Sequence, residues 1–317
     1  MSFDLRVGED DDGVRLDVVL VRRVDGMSRA KARRMIHDGL VRLNGRRPRK
    51  GTRLANGDRI ELREMPRPSD FVPAPSPELP LEVVHEDDAV VVVEKPAGLP
   101  THPLRPHERE TLANALLARY PEMEGVGYAL REPGILHRLD NDTSGLLVAA
   151  RDAAAFEALR AALRAARIDK RYRALVDGRL EGPTEVDVPI APHPTDPRRV
   201  HPCVDEADRR LPAARAARTE ILEARLRRRT TLLEVRATVA VRHQIRAHLA
   251  SLGHPLVGDW LYGGSMDALS RHFLHASYVG FAHPGDGRPV EVRSALPPEL
   301  ARVLDDDEDD DEEGRSP

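Results

Sequence analysis

The chain has 317 residues, room for one large domain with a small one or for two ordinary domains. With 40% apolar and 32% charged residues it can bury a sizeable core, while only 3% aromatics argues against an RNA platform built mainly on stacked rings. Apolar runs such as Ala89–Val93 fall far short of the roughly 20 residues of a membrane span, and the first residues lack the basic and apolar regions of a secretion signal. One cysteine, Cys203, excludes an internal disulfide and a thiolate-rich zinc site. A cytoplasmic protein with no membrane partner is expected.

The formal net charge of −4 hides a segregation. Asp305 to Glu313 is an unbroken run of nine acids, whereas Gly13 to Arg63 holds 15 Lys and Arg against 5 Asp and Glu. A compact, strongly basic segment near one end suits an anionic partner.

In chain order, residues 1–12 are acidic and are expected to be mobile. Leu16 to Leu20 have apolar positions at helical spacing. Ser28 stands where an N-cap belongs, opening a helix in which Ala32, Met35 and Ile36 face inward while Arg29, Lys31, Arg33 and Arg34 project outward. Gly39 stops it. Strands are expected at residues 40–44 and 59–62, with turns at Asn44-Gly45 and Gly57-Asp58, which makes 13–64 a small α/β domain. Six prolines between residues 65 and 80 read as a semi-rigid linker.

The second domain is expected over 81–300. Ala89–Val93 and Leu146–Ala150 are β-branched and apolar runs typical of buried strands. An alanine-rich helix is predicted over 152–167, strands over 171–177, 217–224 and 231–239, and a helix over 241–252. Strands with interspersed helices and no regular βαβ alternation predict an α+β domain on a mixed, mostly antiparallel sheet. Residues 192–214 read as a loop, and 301–317 as an acidic disordered tail.

Chemistry is concentrated in His137-Arg138-Leu139-Asp140-Asn141-Asp142-Thr143-Ser144-Gly145, polar residues crowded before a buried strand. An ordinary turn held by Asx and Ser/Thr hydrogen bonds would use the same composition. A calcium loop is excluded because its twelfth position is Arg151 and a strand follows. His243 and His248 bracket a helix but lie five residues apart, and Gln244 stands where a zinc protease has its base, so no metal site is expected.

The stretch resembles the signature of the RluA family of pseudouridine synthases, whose Arg-Leu-Asp-x-x-Thr-Ser-Gly core is complete at Arg138, Leu139, Asp140, Thr143, Ser144 and Gly145. Four further segments are similar to the family's motifs in order: Lys95-Pro96-Ala97-Gly98, Lys170-Arg171-Tyr172-Arg173-Ala174, His243-Gln244-Ile245-Arg246 with Gly258-Asp259 and Tyr262-Gly263, and Phe273-Leu274-His275-Ala276 with Phe281-Ala282-His283-Pro284. The N-terminal segment resembles the small RNA-binding domain named after ribosomal protein S-four. One departure stands at Val239-Ala240-Val241-Arg242, where the family commonly reads Thr-Gly-Arg-Thr.

The resemblance implies isomerisation of uridine to pseudouridine in RNA, which loses no atom and needs no cofactor. It implies Asp140 as nucleophile or base, Arg246 as its ion-pair partner and Tyr172 against the target base. Arg138 would fill the gap left by the extruded nucleotide, and Ile245, as an apolar wall, would share the substrate pocket with Thr143 and Lys95, the lysine ordering the strand end or meeting phosphate. Ser28, Arg29, Lys31, Arg33 and Arg34 would meet RNA phosphates. Members with such an N-terminal domain modify large-subunit (23S) ribosomal RNA, alone or in the assembling subunit. A transfer-RNA substrate and a non-catalytic assembly factor are the alternatives, and a monomer is the default.

Overall fold

The computed structural model describes residues 3–24, 27, 29–49, 51–63, 71–105, 107–182, 184–209, 213–238 and 241–309. The chain forms two compact units, Met1–Phe71 and Val72–Pro317. In the first, strand β1 (Phe3–Arg6) is followed by helices α1 (Leu16–Arg23) and α2 (Arg29–His37) and strands β2 (Val41–Leu43) and β3 (Arg59–Leu62). The antiparallel sheet runs β1-β3-β2, and Leu16, Leu20, Ala32, Met35, Val41 and Ile60 form the core against it. Gly39 leaves α2 with φ of 74°, a conformation that favours glycine.

Two expectations for the ends of the chain are corrected. Residues 3–6 are a paired strand, with Leu5 opposite Ile60, and the acid Asp11 is buried and accepts a hydrogen bond from Arg23 Nε at 2.9 Å. The acidic composition of 1–12 masked this, because Leu5 and Val7 supply enough apolar surface to join the core. At the other end, helix α7 (Pro298–Asp309) extends into the acid run, and residues 310–317 of the expected tail lie outside the described residues. Leu300 is buried with Leu296, Val303 and Leu304 packed around its cluster, and Thr230 Oγ1 donates to Asp307 at 2.6 Å.

The second unit is built on strands β4 (Glu82–Glu86), β5 (Val90–Lys95), β6 (Ser144–Ala150), β7 (Asp169–Asp177), β8 (Thr184–Asp187), β9 (Ile190–Pro192), β10 (Val200–Pro202), β11 (Arg218–Leu226), β12 (Thr230–Arg236), β13 (Leu274–Ala282) and β14 (Pro289–Arg293). Helices α3 (Leu112–Arg119), α4 (Ala153–Arg164), α5 (Glu206–Arg209) and α6 (Gln244–Ser251) intervene. Nine strands make one sheet in the order β4-β5-β6-β13-β7-β12-β11-β8, with β14 paired to β13. Every pairing is antiparallel except β6 with β13, so the mixed, mostly antiparallel α+β domain is as expected.

The apolar runs explain the two layers. Along β5 and β6 successive side chains point to opposite faces. Val90, Val92, Leu146 and Val148 pack with Phe156 and Leu159 of α4, while Val91, Val93, Leu147 and Ala149 pack with Leu112 and Leu116 of α3. Asp152 caps α4 by accepting from Ala155 N at 2.9 Å. The segment read as a loop over 192–214 contains β10, which pairs back on β9 with Val200 buried beside Ile190, and the short α5. Part of the proline-rich linker also belongs to this unit: Asn114 Nδ2 donates to Ala74 O at 2.8 Å and Ser76 N donates to Asn114 O at 3.1 Å. Residues 64–70 of that linker lie outside the described residues.

The two halves of the sheet meet at the short parallel pairing of Ser144-Gly145 with His275-Ala276. Gly145 has φ of 116°, and a Cβ there would lie 2.3 Å from Ala276 O and 2.5 Å from Ala276 N. Only glycine permits the approach. Gly145→Ala is therefore expected to cost about 3 kcal/mol or more, from overpacking plus a forced backbone angle. Urea unfolding should show a lower midpoint, whereas an unchanged midpoint would mean that the seam adjusts freely.

Candidate active site

The turn between residues 139 and 142 precedes β6 directly and is held by its backbone carbonyls. Leu139 O accepts from Thr101 Oγ1 at 3.0 Å, and Asp140 O accepts from Thr143 N at 3.1 Å. Asn141 O accepts from Lys95 Nζ at 2.9 Å and Gly98 N at 2.8 Å, while Asp142 O accepts from Arg271 Nη1 at 2.9 Å. Four consecutive carbonyls thus have donors, which fixes the Asp140 side chain on a rigid support.

Across the cleft, His243 begins α6 in the left-handed conformation, φ 53° and ψ 22°, and aims the first turn of the helix at Asp140. Arg246, one turn on, is buried. Its Nη1 donates to Asp140 Oδ2 at 3.1 Å, while Nε and Nη2 donate to the two oxygens of Asp259 at 2.7 and 2.8 Å. The guanidinium also lies over the Tyr262 ring, 5.2 Å from its centroid. No described residue donates a hydrogen bond to Asp140 Oδ1. Leu139, Tyr172, Ile245 and Leu274 share one apolar cluster and line the same cleft.

Burial pushes the Asp140 carboxyl up, but the neighbouring His243, Arg246 and His272 and the hydrogen bond from Arg246 outweigh it, and the net shift is down. Burial lowers His243 and His272 to about 4 each, so both are neutral near pH 7 and Arg246 supplies the charge that keeps Asp140 ionised. The Tyr172 hydroxyl is shifted up, first by burial and then by Asp140, and stays protonated. The cleft therefore offers a carboxylate held by one cation, a neutral phenol and apolar walls.

Residues 89–251 match the RNA pseudouridylate synthase family and residues 14–60 match the S4 domain. A protein of Chloroflexus aurantiacus named uncharacterized RNA pseudouridine synthase is 42% identical over 301 residues, 92% of this chain and 89% of its own. The chain belongs to the RNA pseudouridylate synthase family, of the RluA type. It is an isomerase acting on RNA. Ribosomal large subunit pseudouridine synthase D of Yersinia pestis is 35% identical over 318 residues, covering 96% of this chain and 94% of that one. The solved structure of human RNA pseudouridylate synthase domain containing 1 aligns with a TM-score of 0.54 and 27% identity over 70% of this chain and 86% of that one.

Of the synthase residues singled out in the sequence, Asp140, Arg246, Tyr172, Arg138, Thr143 and Ile245 do line one cleft. Arg138 is exposed at its edge, and Thr143 is buried with its hydroxyl 2.8 Å from His272 Nε2. Lys95 is corrected. Its side chain is fully buried and its ammonium donates to the carbonyls of Pro96, Leu99 and Asn141 at 2.8 to 2.9 Å, so it clamps the Asp140 turn and does not line the cleft. Burial lowers its pKa to about 7, against the pull of Asp140 and Asp142.

Asp259, His243, Tyr262 and His272 were quoted in or beside motifs without a role. A carboxylate that is 1% exposed signals a buried ion pair, but its partner emerges only when α6 packs across the following turn. His248, by contrast, engages Thr219 and Val188 through its two ring nitrogens, at 2.8 and 2.9 Å. In the departing segment, Val239 and Ala240 lie outside the described residues, and Arg242 donates to the carbonyls of Pro197 and Arg198 in the β9–β10 connection.

In the S4 unit Ser28 lies outside the described residues, and Lys31 and Arg34 are placed on α2 by backbone alone. Arg29 is exposed. Arg33 and Arg15 both donate to the buried Asp17, at 3.2 and 2.9 Å, and line a shallow basic concavity with Arg47 and Arg49 that the sequence reading did not single out. Among the described residues no helix is long and apolar enough to cross a membrane.

Two outcomes are expected. Arg246→Lys cannot grip Asp259 bidentately and still reach Asp140, so kcat/KM should fall about a hundredfold. The sign of the pH effect follows from burial: with its hydrogen-bonded cation loosened, Asp140 keeps its desolvation and its pKa rises. The acid limb of kcat/KM should therefore move to higher pH than in the wild type. Lys95→Met removes the donor to the carbonyls of Pro96 and Leu99 and one of the two donors to Asn141 O. It should cost about 2 kcal/mol in urea unfolding, with little change in RNA affinity. A selective loss of RNA affinity would instead return Lys95 to the RNA-binding surface.

Proposed function

We propose that this synthase isomerises specific uridines of large-subunit (23S) ribosomal RNA, in the cytoplasm, with Asp140 as its catalytic carboxylate. The observation that carries the assignment is the division of Asp140 between its two oxygens. Oδ2 accepts from Arg246, while no described residue donates to Oδ1 at the cleft that Tyr172 and Ile245 line. A carboxylate kept ionised but half unsatisfied is suited to act as nucleophile or base on the bound nucleoside.

The reaction breaks the bond between N1 of uracil and the ribose, turns the base and joins C5 to the same sugar carbon. The proton on C5 must leave and N1 must gain one, so the whole step is neutral in electrons and protons. The detached uracil has to be retained while it turns. Tyr172 and Ile245 form the walls that hold it, and Arg246 holds the carboxylate in place throughout. Arg138, exposed at the cleft edge, fills the gap that the extruded nucleotide leaves in the RNA stack. Arg29, Arg33 and the basic concavity beside them supply salt-dependent, sequence-independent contacts to phosphates.

Two facts support the choice of RNA. The chain carries the S4 domain as well as the synthase domain, and it aligns end to end with proteins named ribosomal large subunit pseudouridine synthase D. The test is pseudouridine mapping of total RNA from cells lacking the gene, complemented with wild type or Asp140→Ala. One or more large-subunit rRNA sites should vanish and return only with wild type. Loss of a transfer-RNA site instead would overturn the substrate, and restoration by Asp140→Ala would overturn the catalytic role.

A further inference from the structure

Arg138 lines two cavities. One is the Asp140 cleft; the other, of about 500 Å³, contains none of Asp140, Tyr172 or Arg246. This second cavity lies between the 128–137 segment, the end of α4 and Arg215. Three arginines, Arg138, Arg164 and Arg215, stand exposed around it, and none holds an ion pair among the described residues. Elsewhere in this unit arginines such as Arg119, Arg151, Arg171, Arg218, Arg236 and Arg288 are paired with carboxylates. Glu132 also lines the cavity, beside His102. Three guanidiniums against that one carboxylate leave the concavity net positive and draw phosphate.

The wall of the cavity carries Tyr128, which is 49% exposed although aromatics are scarce in this chain. Its ring is braced edge-to-face on Phe156, with centroids 4.9 Å apart and planes at 78°, while half of the side chain stays open to solvent. Trp260, the other large aromatic exposed among the described residues, is covered by Arg198 at 5.5 Å. His102 and His137, both more than nine-tenths buried, line the cavity beside the apolar Ile135, Leu136 and Leu163. The Nε2 of His102 lies 3.4 Å from Glu132 Oε1 and that of His137 accepts from Val148 N at 3.3 Å, while the Nδ1 of each lacks a hydrogen-bond partner. A fixed ring, a cationic rim and two imidazoles with one unpartnered nitrogen each match a nucleotide: base against ring, phosphate against arginine.

We propose that this cavity is a second nucleotide site, which takes the unstacked base of a nucleotide flanking the target uridine. The proposal rests on the reading of the Asp140 cleft as the target site, because the shared Arg138 places the neighbouring nucleotide within reach. Tyr128 stacks on the flanking base, and Arg164 and Arg215 meet the phosphates beside it. Such a site makes the enzyme read the context of its uridine by which neighbours can be unstacked and stacked again on the protein. It also gives Arg138 two nucleotides to separate.

The experiment uses the full chain and a short rRNA fragment around the uridine that mapping identifies, chosen because wild type converts it. Versions of the fragment are made abasic at each flanking position in turn. Tyr128→Leu keeps an apolar contact for Phe156 but removes the stacking face, and should raise KM for the intact fragment about tenfold. Tyr128→Phe should behave as wild type. The deciding result is a thermodynamic cycle: on the fragment lacking the stacked base, wild type and Tyr128→Leu should have the same KM. Arg215→Ala should raise KM and lower the salt dependence of binding by about one phosphate contact.

An equal penalty of Tyr128→Leu on the intact and on every abasic fragment would overturn the second site, as would no penalty on any. Asp140→Ala marks the other boundary. A failure of the catalytic reading shows as turnover by that variant, independently of any outcome at Tyr128.

Discussion

The guanidinium of Arg246 joins the parts of the catalytic cleft. It grips Asp259 with two donors and reaches Asp140 with a third, so one side chain connects the turn after α6, the helix itself and the turn before β6. A planar fork suits this because its donors lie in fixed directions, whereas an ammonium would serve one carboxylate at a time. Burying two carboxylates and one cation is costly unless each is paired. Here Asp259 is fully held and Asp140 is held on one oxygen only. The unsatisfied half of the network is where the proposed substrate chemistry would take place.

That arrangement depends on the sheet behind it. β13 joins the two halves, pairing in parallel with β6 at residues 275–276 and antiparallel with β7 beside Tyr172. Glycine at position 145 lets the strands approach, and the turn carrying Asp140 is the segment that enters this seam. Lys95 and Arg271 pull on the same turn from opposite strand ends, through the carbonyls of Asn141 and Asp142. Rigidity at Asp140 is therefore a property of the junction, built from backbone hydrogen bonds and not from the catalytic side chains.

Much of this was legible in order along the chain. The burial of β5 and β6 on both faces follows from their apolar runs, the place of α4 from its alanine-rich stretch, and the core of the small domain from Leu16, Met35 and Ile36. What misled was composition used as a proxy for order. Acidic residues at both ends suggested mobility, yet β1 and α7 form because a few apolar side chains find a core to join. The loop expected over 192–214 contains strand β10 for the same reason, since Val200 is buried with Ile190 although proline and arginine dominate the composition around it.

Local sequence by itself determined the candidate residues: a turn rich in hydrogen-bonding groups before a buried strand, and family motifs in order, marked Asp140, Tyr172 and Arg246, which the fold brings to one cleft. Spacing along the chain could not say which group each would meet, because 106 residues separate Arg246 from Asp140 and 129 separate Thr143 from His272. Only the tertiary structure decided that Lys95 is a buried clamp, that Asp259 is the second partner of Arg246, and that Arg138 stands at the edge of two cavities. The physical reason is that hydrogen bonds and ion pairs act over a few ångströms. The distances that matter are therefore set by how strands β6, β7 and β13 and helix α6 pack, and not by their places in the sequence.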